Sequence, residues 1–463
     1  MKLSSNKLHY IWFHLDQHWF ADPLIREKFL VLGPEESLPA LTKDRIIFRL
    51  TEGERPAPIH CKFEEISLPV LFTGNPTSDQ WFVLDEHSNL WFTHDLLSSV
   101  FYVLSGRQEM ENRPRDCHDR FPFSSSIQKE LQCASIPLVN YYFEILLQGL
   151  EQFARNQGQN IRRKRLFPTF GFALSHDVDR IAYYHIREVL HEVKRLFFYR
   201  TNFSEKVQIL QHIKNGLKAR FGWSRITDPW WNFEWMMNLE KQLGMRSSFY
   251  FLSKEDRKMD SKYTFKNKKI KTLISNLNKN GFETSLHGCY HSFDQDKRLK
   301  KQIHAWKKLT GKHPAGVRQH YLRYKLPQTS RIHAAQHFAY DATLGFADHD
   351  GFRNGYSYPF RPYDHERDEM INIWEIPLIM MEMSVLDYKK ASNKELQNLV
   401  FKYIKEAIKF GGIFSLLWHN CRLNNMENPG ITDFYQSLLK QIVEENPTPV
   451  RNIDLVERIQ QHP

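Results

Sequence analysis

The chain has 463 residues and a formal net charge of +11, and its hydrophobic and charged fractions are 41% and 25%. The length is too great for one ordinary core, and the average composition excludes a disordered or fibrous protein. The positive charge favours anionic partners such as lipid headgroups or acidic glycans. Because no recognised nucleic-acid-binding motif accompanies that charge, a nucleic-acid partner is not expected.

Cysteine usage and hydropathy indicate a reducing compartment. The five cysteines are scattered and form no CxxC pair, so neither a disulfide framework nor a zinc ribbon is predicted. Residues 1–20 interrupt their apolar positions with His, Asp and Gln and carry no signal-peptide cleavage site. No apolar run reaches the roughly eighteen residues of a membrane span. We therefore expect a cytoplasmic protein, with peripheral attachment at the inner membrane as the most that its basic surface supports.

Residues 1–165 predict a small α+β domain of unknown role. Short apolar runs bounded by Pro, Gly, Asn and Asp predict strands, and longer apolar stretches predict helices. The strands are expected at 44–50, 68–72, 80–84 and 89–92, and the helices at 96–106 and 139–154. The polar, basic segment ARNQGQNIRRKR then interrupts the pattern and indicates a domain boundary near residue 165.

In residues 166–463 the pattern changes to short strands that alternate with amphipathic helices. The expected strands are FGFALS, SSFYFL, FETSL, GVRQ, FAYDA, IWEIPL, GIFSLLW and VRNIDL. The expected helices are WNFEWMMNLEKQL, KIKTLISNLNKN, KELQNLVFKYIKEAIKF and TDFYQSLLKQIVEE. Repeated β-then-α units of this length predict a parallel sheet or barrel. Residues 186–222 predict an inserted basic, helical segment near its rim.

Polar motifs follow four of the predicted strands. They are SHDVD after FGFAL, HGCYH after FETSL, RQHY after AGV and HN after IFSLLW. Chemistry in barrels of this kind collects just past the carboxyl ends of the strands. We therefore expect the four motifs to meet on one face.

A metal site is the first chemistry that these motifs indicate. His287 and His291 are four apart and could share one face of a helical turn. With Asp179 they would make the two-imidazole, one-carboxylate set of an open catalytic zinc site. Gly288 excludes the HExxH metalloprotease motif. The structural alternatives are an aspartate pair that caps a helix and two histidines without a ligand role.

Three further residues complete the predicted constellation. Asp177 and Asp179 are separated by one residue, so on extended chain both carboxylates can point to one side, which leaves Asp177 as a base. Arg318 could pair with Asp177, and a surface arginine is the alternative. His419 follows a strand that is apolar enough to be buried. It would donate a proton to a leaving amine or be a structural histidine.

Together these motifs resemble the polysaccharide deacetylases of the NodB-homology superfamily, which are carbohydrate esterase family 4-like. The resemblance covers roughly residues 166–463 and keeps the order of the superfamily's motifs. It implies an α/β fold with a distorted (β/α) barrel and a smaller N-terminal α+β domain. The segments FAYDATLGFADHDGFRNG, SSVFYVLSGRQE and DRFPF also resemble a bacterial subgroup associated with surface-polysaccharide genes, whose N-terminal domain is uncharacterised.

The resemblance also implies residue roles. Asp177 corresponds to the catalytic base, Arg318 to the arginine that tethers this base, and His419 to the general acid. The metal ligands it implies are Asp179, His287 and His291. For the acidic residue that tunes the general acid, Asp341 is the choice, ahead of Asp348 and Glu375.

The chain departs from the superfamily pattern at two places. Ser175 and His176 replace the usual Thr-Phe before the first aspartate, and the motif RQHYLRY lacks the proline expected two residues after its arginine. The second departure would reshape the substrate groove. His176 is either a supporting partner of the site or a simple strand-end histidine.

The expected function is that of a metal-dependent hydrolase, with Zn²⁺ as the expected metal. It would remove an N-acetyl group from an amino sugar of a glycan or glycan precursor. The partner would be an N-acetylated sugar or oligosaccharide, which a cytoplasmic location makes nucleotide-linked or lipid-linked. Two alternatives stay open: a related deformylase or amidase that acts on a small substrate, and a non-catalytic, glycan-binding homologue.

Overall fold

A computed structural model describes the chain at residues 2–34, 36, 38, 42–51, 55, 57–74, 78–199, 203–221, 228–256 and 258–461. No helix within these ranges combines the length and apolarity that crossing a bilayer requires.

The N-terminal region is an α+β unit, as predicted. Its helices are α1 (Ser5–Leu15), α2 (Pro23–Arg26), α3 (Leu96–Leu104), α4 (Ile127–Glu130) and α5 (Leu138–Asn156). Its strands are β1 (Phe29–Leu32), β2 (Ile46–Arg49), β3 (Ile59–Phe63), β4 (Ile66–Val70), β5 (Phe82–Leu84) and β6 (Leu90–Phe92). Strands β1, β2, β6 and β5 form one mixed sheet in that order, and β3 pairs with β4 in an antiparallel hairpin. Helix α5 packs against β6 and α3.

The larger region alternates strands with helices. Its strands are β7 (Gly171–Val178), β8 (Ser248–Leu252), β9 (Glu283–Gly288), β10 (Gly316–Gln319), β11 (Tyr340–Asp341), β12 (Tyr363–Asp364), β13 (Glu369–Met370), β14 (Trp374–Glu375), β15 (Met380–Met381), β16 (Ile413–Leu417) and β17 (Thr448–Pro449). Its helices are α6 (Ile186–Phe198), α7 (Phe203–Phe221), α8 (Phe233–Gln242), α9 (Lys268–Lys279), α10 (Asp296–Thr310), α11 (Gln328–Ala335), α12 (Asn393–Phe410), α13 (Ile431–Glu444) and α14 (Asn452–Gln461).

The main sheet is parallel and runs in the order β14-β11-β10-β9-β8-β7-β16-β15, with β17 alongside β7. Strands β14 and β15 are its two edges, so the barrel is open between them. All eight residues of β7 are buried, as expected for a central parallel strand covered on both faces. The predicted fold class, a distorted (β/α) barrel with a smaller N-terminal α+β unit, is confirmed.

Local signals explain where the barrel helices begin and end. At α12 the Ser392 side chain accepts from the Glu395 backbone N–H while the Glu395 carboxylate accepts from the Ser392 backbone N–H, a reciprocal capping box. Gly411 ends the same helix in a left-handed conformation, with φ of 65°, that costs glycine little. Helix α10 buries one apolar stripe and leaves its lysines on the outer face, as its sequence predicts.

The predicted strand VRNIDL is wrong, because α14 begins at Asn452. The Asp454 carboxylate accepts a hydrogen bond from the Arg451 backbone N–H and stabilises the first turn of the helix. The side chains that this helix buries recur at helical spacing: Leu455, Val456 and Ile459. Their burial against the core outweighs the strand propensity of the isolated segment.

The insertion predicted at 186–222 forms helices α6 and α7, which pack against each other. Residues 200–202 and 222 of this predicted segment lie outside the described residues. Val189 and Ile209 are buried on the inner side of the pair. The insertion is therefore helical, as predicted.

One apolar core joins the N-terminal region to the barrel. A single cluster of buried side chains contains Val100 and Leu146 from the first region and Tyr340 and Ile413 from the second. The domain boundary near residue 165 stays a prediction, since the packing is continuous across it. This shared core packs the N-terminal region against the barrel.

Candidate active site

Polar side chains gather where neighbouring barrel strands end. Strand β7 ends next to Asp179 and contains Asp177, β9 contains His287, β10 contains Arg318, and His419 follows β16 by two residues. Because the strands are parallel and adjacent, their carboxyl ends lie on one side of the sheet. The structure therefore brings these five residues to one face, as the motif positions indicate.

Asp179, His287 and His320 form a compact cluster of possible metal ligands. One donor atom from each of them lies within 4.8 Å of the other two. His287 Nε2 is 3.4 Å from Asp179 Oδ1, and His320 Nε2 is 3.5 Å from Asp179 Oδ2. Two imidazole nitrogens and one carboxylate are a donor set that suits a catalytic zinc ion.

Hydrogen bonds around the cluster leave its donor atoms directed inward. His287 Nδ1 donates to the Arg318 carbonyl at 2.7 Å, and His320 Nδ1 donates to Asp260 Oδ1 at 3.3 Å. Since both Nδ1 atoms carry protons, each Nε2 can offer its lone pair to a cation. Asp179 Oδ1 is buried and has no hydrogen-bond partner among the described residues. Because buried polar atoms normally have a partner, this oxygen is suited to coordinate a cation. The residues therefore fit a divalent metal.

Electrostatics in the cluster also favour a cation. Burial alone would lower the pKa of His320, but the carboxylates of Asp179 and Asp260 raise it to about 9. Burial alone would raise the pKa of Asp179, but His320 and His287 hold it well below its ordinary value. Several negative groups in a small buried space attract positive charge, whether a proton or a metal ion.

The predicted ligand His291 lies outside this cluster. Its Nε2 is 3.7 Å from Asp256 Oδ2, and its side chain is 41% exposed. The predicted helical turn does not form, because His287 belongs to β9 and the chain bends after Gly288. His320, which directly follows β10 in the RQHY motif, occupies the position that the sequence assigned to His291.

A strained turn places His320. Tyr321 and Leu322 are both left-handed, with φ of 62° and 53°, although neither is glycine. Such a conformation costs about 1–2 kcal/mol for each residue. Arg120, from the N-terminal region, donates from Nη1 to the Tyr321 carbonyl at 3.0 Å. Surrounding contacts of this kind are what keeps a strained turn in place.

Asp177 is held as an ionised carboxylate. Arg318 donates from Nη1 to Asp177 Oδ1 at 2.9 Å and to Ser175 Oγ at 3.1 Å, and its guanidinium lies over the Tyr250 ring. Burial alone would raise the pKa of Asp177, but His287 and Arg318 lower it below its ordinary value. The pairing of Arg318 with Asp177 that the sequence suggested is present, and the surface alternative is wrong, since the arginine side chain is only 2% exposed.

His419 is held as an imidazolium. Its Nδ1 donates to Glu382 Oε1 at 2.8 Å, and its backbone N–H donates to the same oxygen at 3.1 Å. Its Nε2 lies 3.7 Å from Asp179 Oδ2. Burial alone would lower the pKa of His419, but the Glu382 carboxylate raises it to about 9. The proton on Nε2 therefore faces the cluster and is retained at neutral pH.

Asp341, predicted to tune the general acid, is engaged with residues other than His419. Its carboxylate contacts His333 Nδ1 and accepts the Thr343 backbone N–H. The two residues ranked behind it are also engaged away from His419. Asp348 accepts from the Phe123 backbone N–H, and Glu375 accepts from the Leu344 backbone N–H.

Glu382 is the residue that sequence reasoning missed. It directly follows β15, which lies next to β16 with Met381 opposite Leu417. This register brings Glu382 beside His419, which lies two residues past the end of β16. The signal was an acidic residue at the end of the apolar run IPLIMM, the same strand-end pattern that marks the other motifs.

His176 connects two segments that carry residues of the site. It is completely buried in β7, where Nδ1 bonds to the Trp418 carbonyl at 2.7 Å and Nε2 to Glu240 Oε1 at 3.0 Å. Trp418 directly precedes His419, so His176 links the strand that contains Asp177 to the segment that carries His419. Of the two interpretations of His176, the supporting partner is the one that these contacts favour.

The cluster opens into a cavity of about 380 Å³. Asp177, Asp179, His287 and His419 line it, and Arg120 of the N-terminal region contributes to its wall. The volume lies at the lower end of the range of small-molecule sites.

Residues 36–155 match a family of unknown function (DUF7033). This match agrees with the prediction of an N-terminal domain without an assigned role. No curated protein matches the chain.

Several solved structures are similar to the chain. A putative polysaccharide deacetylase from Mycobacterium smegmatis is 15% identical with a TM-score of 0.42, and the similarity covers 63% of this chain and 91% of that one. The allantoinase Puue is 15% identical with a TM-score of 0.39, over 62% of this chain and 89% of that one. The peptidoglycan deacetylase PdaC from Bacillus subtilis is 12% identical with a TM-score of 0.33, over 64% of this chain and 94% of that one. Two of these three are named as deacetylases.

Proposed function

We propose that this protein is a metal-dependent amide hydrolase that removes the N-acetyl group from an amino sugar of a glycan or glycan precursor. One observation carries the proposal. A carboxylate held ionised and an imidazole held protonated flank the same cluster of possible metal ligands. Hydrolysis of an amide needs such a pair, because water must lose a proton while the leaving nitrogen gains one.

The proposed metal ligands are Asp179, His287 and His320, with Zn²⁺ as the expected ion. A divalent cation at this position would supply Lewis-acid chemistry, which polarises an acyl oxygen and acidifies water. Asp260 and the Arg318 carbonyl support the ligands by fixing the protons on both Nδ1 atoms. His291 is not part of this set.

The proposed proton transfers use residues on either side of the cluster. Asp177 accepts the proton of the attacking water, and Arg318 keeps this carboxylate ionised and oriented. His419 donates its Nε2 proton to the departing sugar nitrogen while Glu382 stabilises the imidazolium. The backbone N–H of Tyr321, in the wall of the cavity, is the proposed donor to the oxyanion. Acetate and a free amino sugar result.

Metal analysis combined with an acetate-release assay tests the proposal. Purified protein is loaded with Zn²⁺ and supplied with N-acetylated oligosaccharides, nucleotide-linked sugars and lipid-linked sugars. Asp177→Asn is expected to retain zinc and lose acetate release. The matched control is Asp256→Asn, an acidic residue that pairs with His291 outside the cluster and is expected to keep activity. Release of formate, or hydrolysis of a small cyclic amide only, would identify the amidase alternative. Zinc binding without any hydrolysis would identify the glycan-binding homologue.

A further inference from the structure

Residues 116–123 of the N-terminal region form hydrogen bonds with the loops that follow β9 and β10. Arg120 donates from Nη1 to the Tyr321 carbonyl, and Arg323 donates from Nε to the His118 carbonyl at 2.8 Å. His118 Nδ1 bonds to the Tyr290 hydroxyl at 3.0 Å. Both loops lie beside the proposed metal ligands, so contacts from the N-terminal region reach the immediate surroundings of the site.

Hydrogen bonds within residues 116–123 fix the turn that carries Arg120. The Asp116 carboxylate accepts the backbone N–H groups of His118 and Arg120, each at 2.9 Å, and also the Arg120 Nε at 2.7 Å. One carboxylate therefore fixes both the turn and the direction of the guanidinium. The Arg120 side chain is only 7% exposed, so water does not compete freely for its hydrogen bonds.

Arg120 binds the carbonyl of Tyr321, a residue with a strained backbone conformation. Tyr321 and Leu322 are in the left-handed region, and the residue before them is His320. If the turn relaxed toward ordinary dihedral angles, the His320 ring would leave its position beside Asp179. A buried, charge-assisted hydrogen bond to the Tyr321 carbonyl opposes that relaxation.

We infer that the N-terminal region is part of the metal site, with Arg120 as a positioning residue that holds the Tyr321 turn and thereby His320. The inference rests on the proposed function, since it assigns a role toward the same ligands. It assigns a role to the region that matches a family of unknown function. It also assigns a role to the DRFPF segment, because that segment contains Arg120. The barrel would then be incomplete as a metal site without its N-terminal partner.

The test compares Arg120→Met, Arg120→Lys and the control Arg113→Met in the full chain. Arg113 lies in the same region, but it pairs with Glu111 and the Ser125 carbonyl, outside the cavity wall. Zn²⁺ affinity is measured by competition with a chromophoric chelator, and the geometry of the site by the visible spectrum of the Co²⁺-loaded protein. Arg120→Met should weaken Zn²⁺ binding about 10–100-fold, as loss of an outer support does, and alter the Co²⁺ spectrum. Arg120→Lys should recover part of both, and Arg113→Met should change neither.

The outcomes separate this inference from the proposed function. If the unmodified protein binds neither Zn²⁺ nor Co²⁺, the proposed function fails and this inference fails with it. If it binds Zn²⁺ and Arg120→Met binds equally well with an unchanged Co²⁺ spectrum, the inference is overturned while the proposed function stands. If Arg120→Met does not fold, Asp116→Asn loosens the same guanidinium and keeps its bulk. That variant should weaken Zn²⁺ binding, and an unchanged affinity would overturn the inference.

Discussion

Replacing Glu382 by Gln should convert His419, the proposed general acid, from an imidazolium to a neutral imidazole at neutral pH. Glutamine keeps an oxygen that can accept from His419 Nδ1 and from the His419 backbone N–H, so the geometry is preserved. Only the charge is lost. Since Glu382 is the main reason that the pKa of His419 rises to about 9, the pKa of His419 in the variant should fall toward the ordinary imidazole value of about 6.5, because burial is then opposed only by the smaller effects of Asp179 and Asp177.

The magnitude follows from the fraction of protonated His419. With a pKa of about 9, about 97% of the acid is protonated at pH 7.5, and with a pKa of about 6.5 only about 9% is. In metal-free protein the variant should therefore hold about tenfold less protonated His419 at pH 7.5, and kcat of the Zn²⁺-loaded protein should fall in the same direction. At about pH 5.5 most of this difference should disappear, because His419 is then mainly protonated in both the unmodified protein and the variant.

The assay is acetate release as a function of pH, with the His419 ring titrated by NMR in the same samples. The NMR titration reports the pKa even if the enzyme acts on another amide. Asp341→Asn is the control, because Asp341 contacts His333 instead of His419. An unchanged His419 pKa in Glu382→Gln, or a shifted one in Asp341→Asn, would refute the assignment of Glu382 as the residue that tunes the acid.

Four further results are expected. His320→Ala should weaken Zn²⁺ binding at least about 100-fold in a chelator competition, whereas His291→Ala should leave it unchanged; the opposite ranking would restore the ligand set expected from the motif. Asp177→Asn should retain Zn²⁺ and lose turnover, and a variant with wild-type rates would disprove the base. Arg318→Met should lower the free energy of unfolding by about 3–5 kcal/mol in urea titrations, since it leaves the buried Asp177 without its counter-charge, and a negligible change would contradict that pairing. In metal-free protein the pKa values of His320 and His419 are raised to about 9, so their contribution to stability is complete below about pH 6.5 and is lost as the pH rises through 9. The melting temperature of metal-free protein should fall over that interval while Zn²⁺ affinity rises, and a flat profile would argue against both shifts.

Residue identity and spacing were sufficient to predict the general plan of the site. Asp177, Asp179, His287 and His419 each follow or end an apolar run that the barrel buries as a strand. Parallel strands in adjacent positions necessarily end on the same side of a sheet. Strand-end position therefore placed these groups on one face without knowledge of the turns.

The turns and the strand register were decided only by the tertiary structure. His291 is four residues from His287, but the chain leaves β9 in a bend instead of a helix, so the spacing does not bring the two rings together. His320 reaches Asp179 through a left-handed turn that a contact from a distant region helps to hold.

The contact between Glu382 and His419 was also decided by the tertiary structure. Glu382 and His419 are 37 residues apart in sequence, and they meet because β15 pairs with β16. Asp341 has the residue type expected for this role, but it lies in β11. In the sheet, β11 is separated from β16 by β10, β9, β8 and β7, so Asp341 is far from His419. Sequence by itself determined which side chains reach the carboxyl face, since burial of apolar runs is a local property of the chain. Which of them touch depends on backbone turns and strand order, which arise from contacts between residues far apart in sequence.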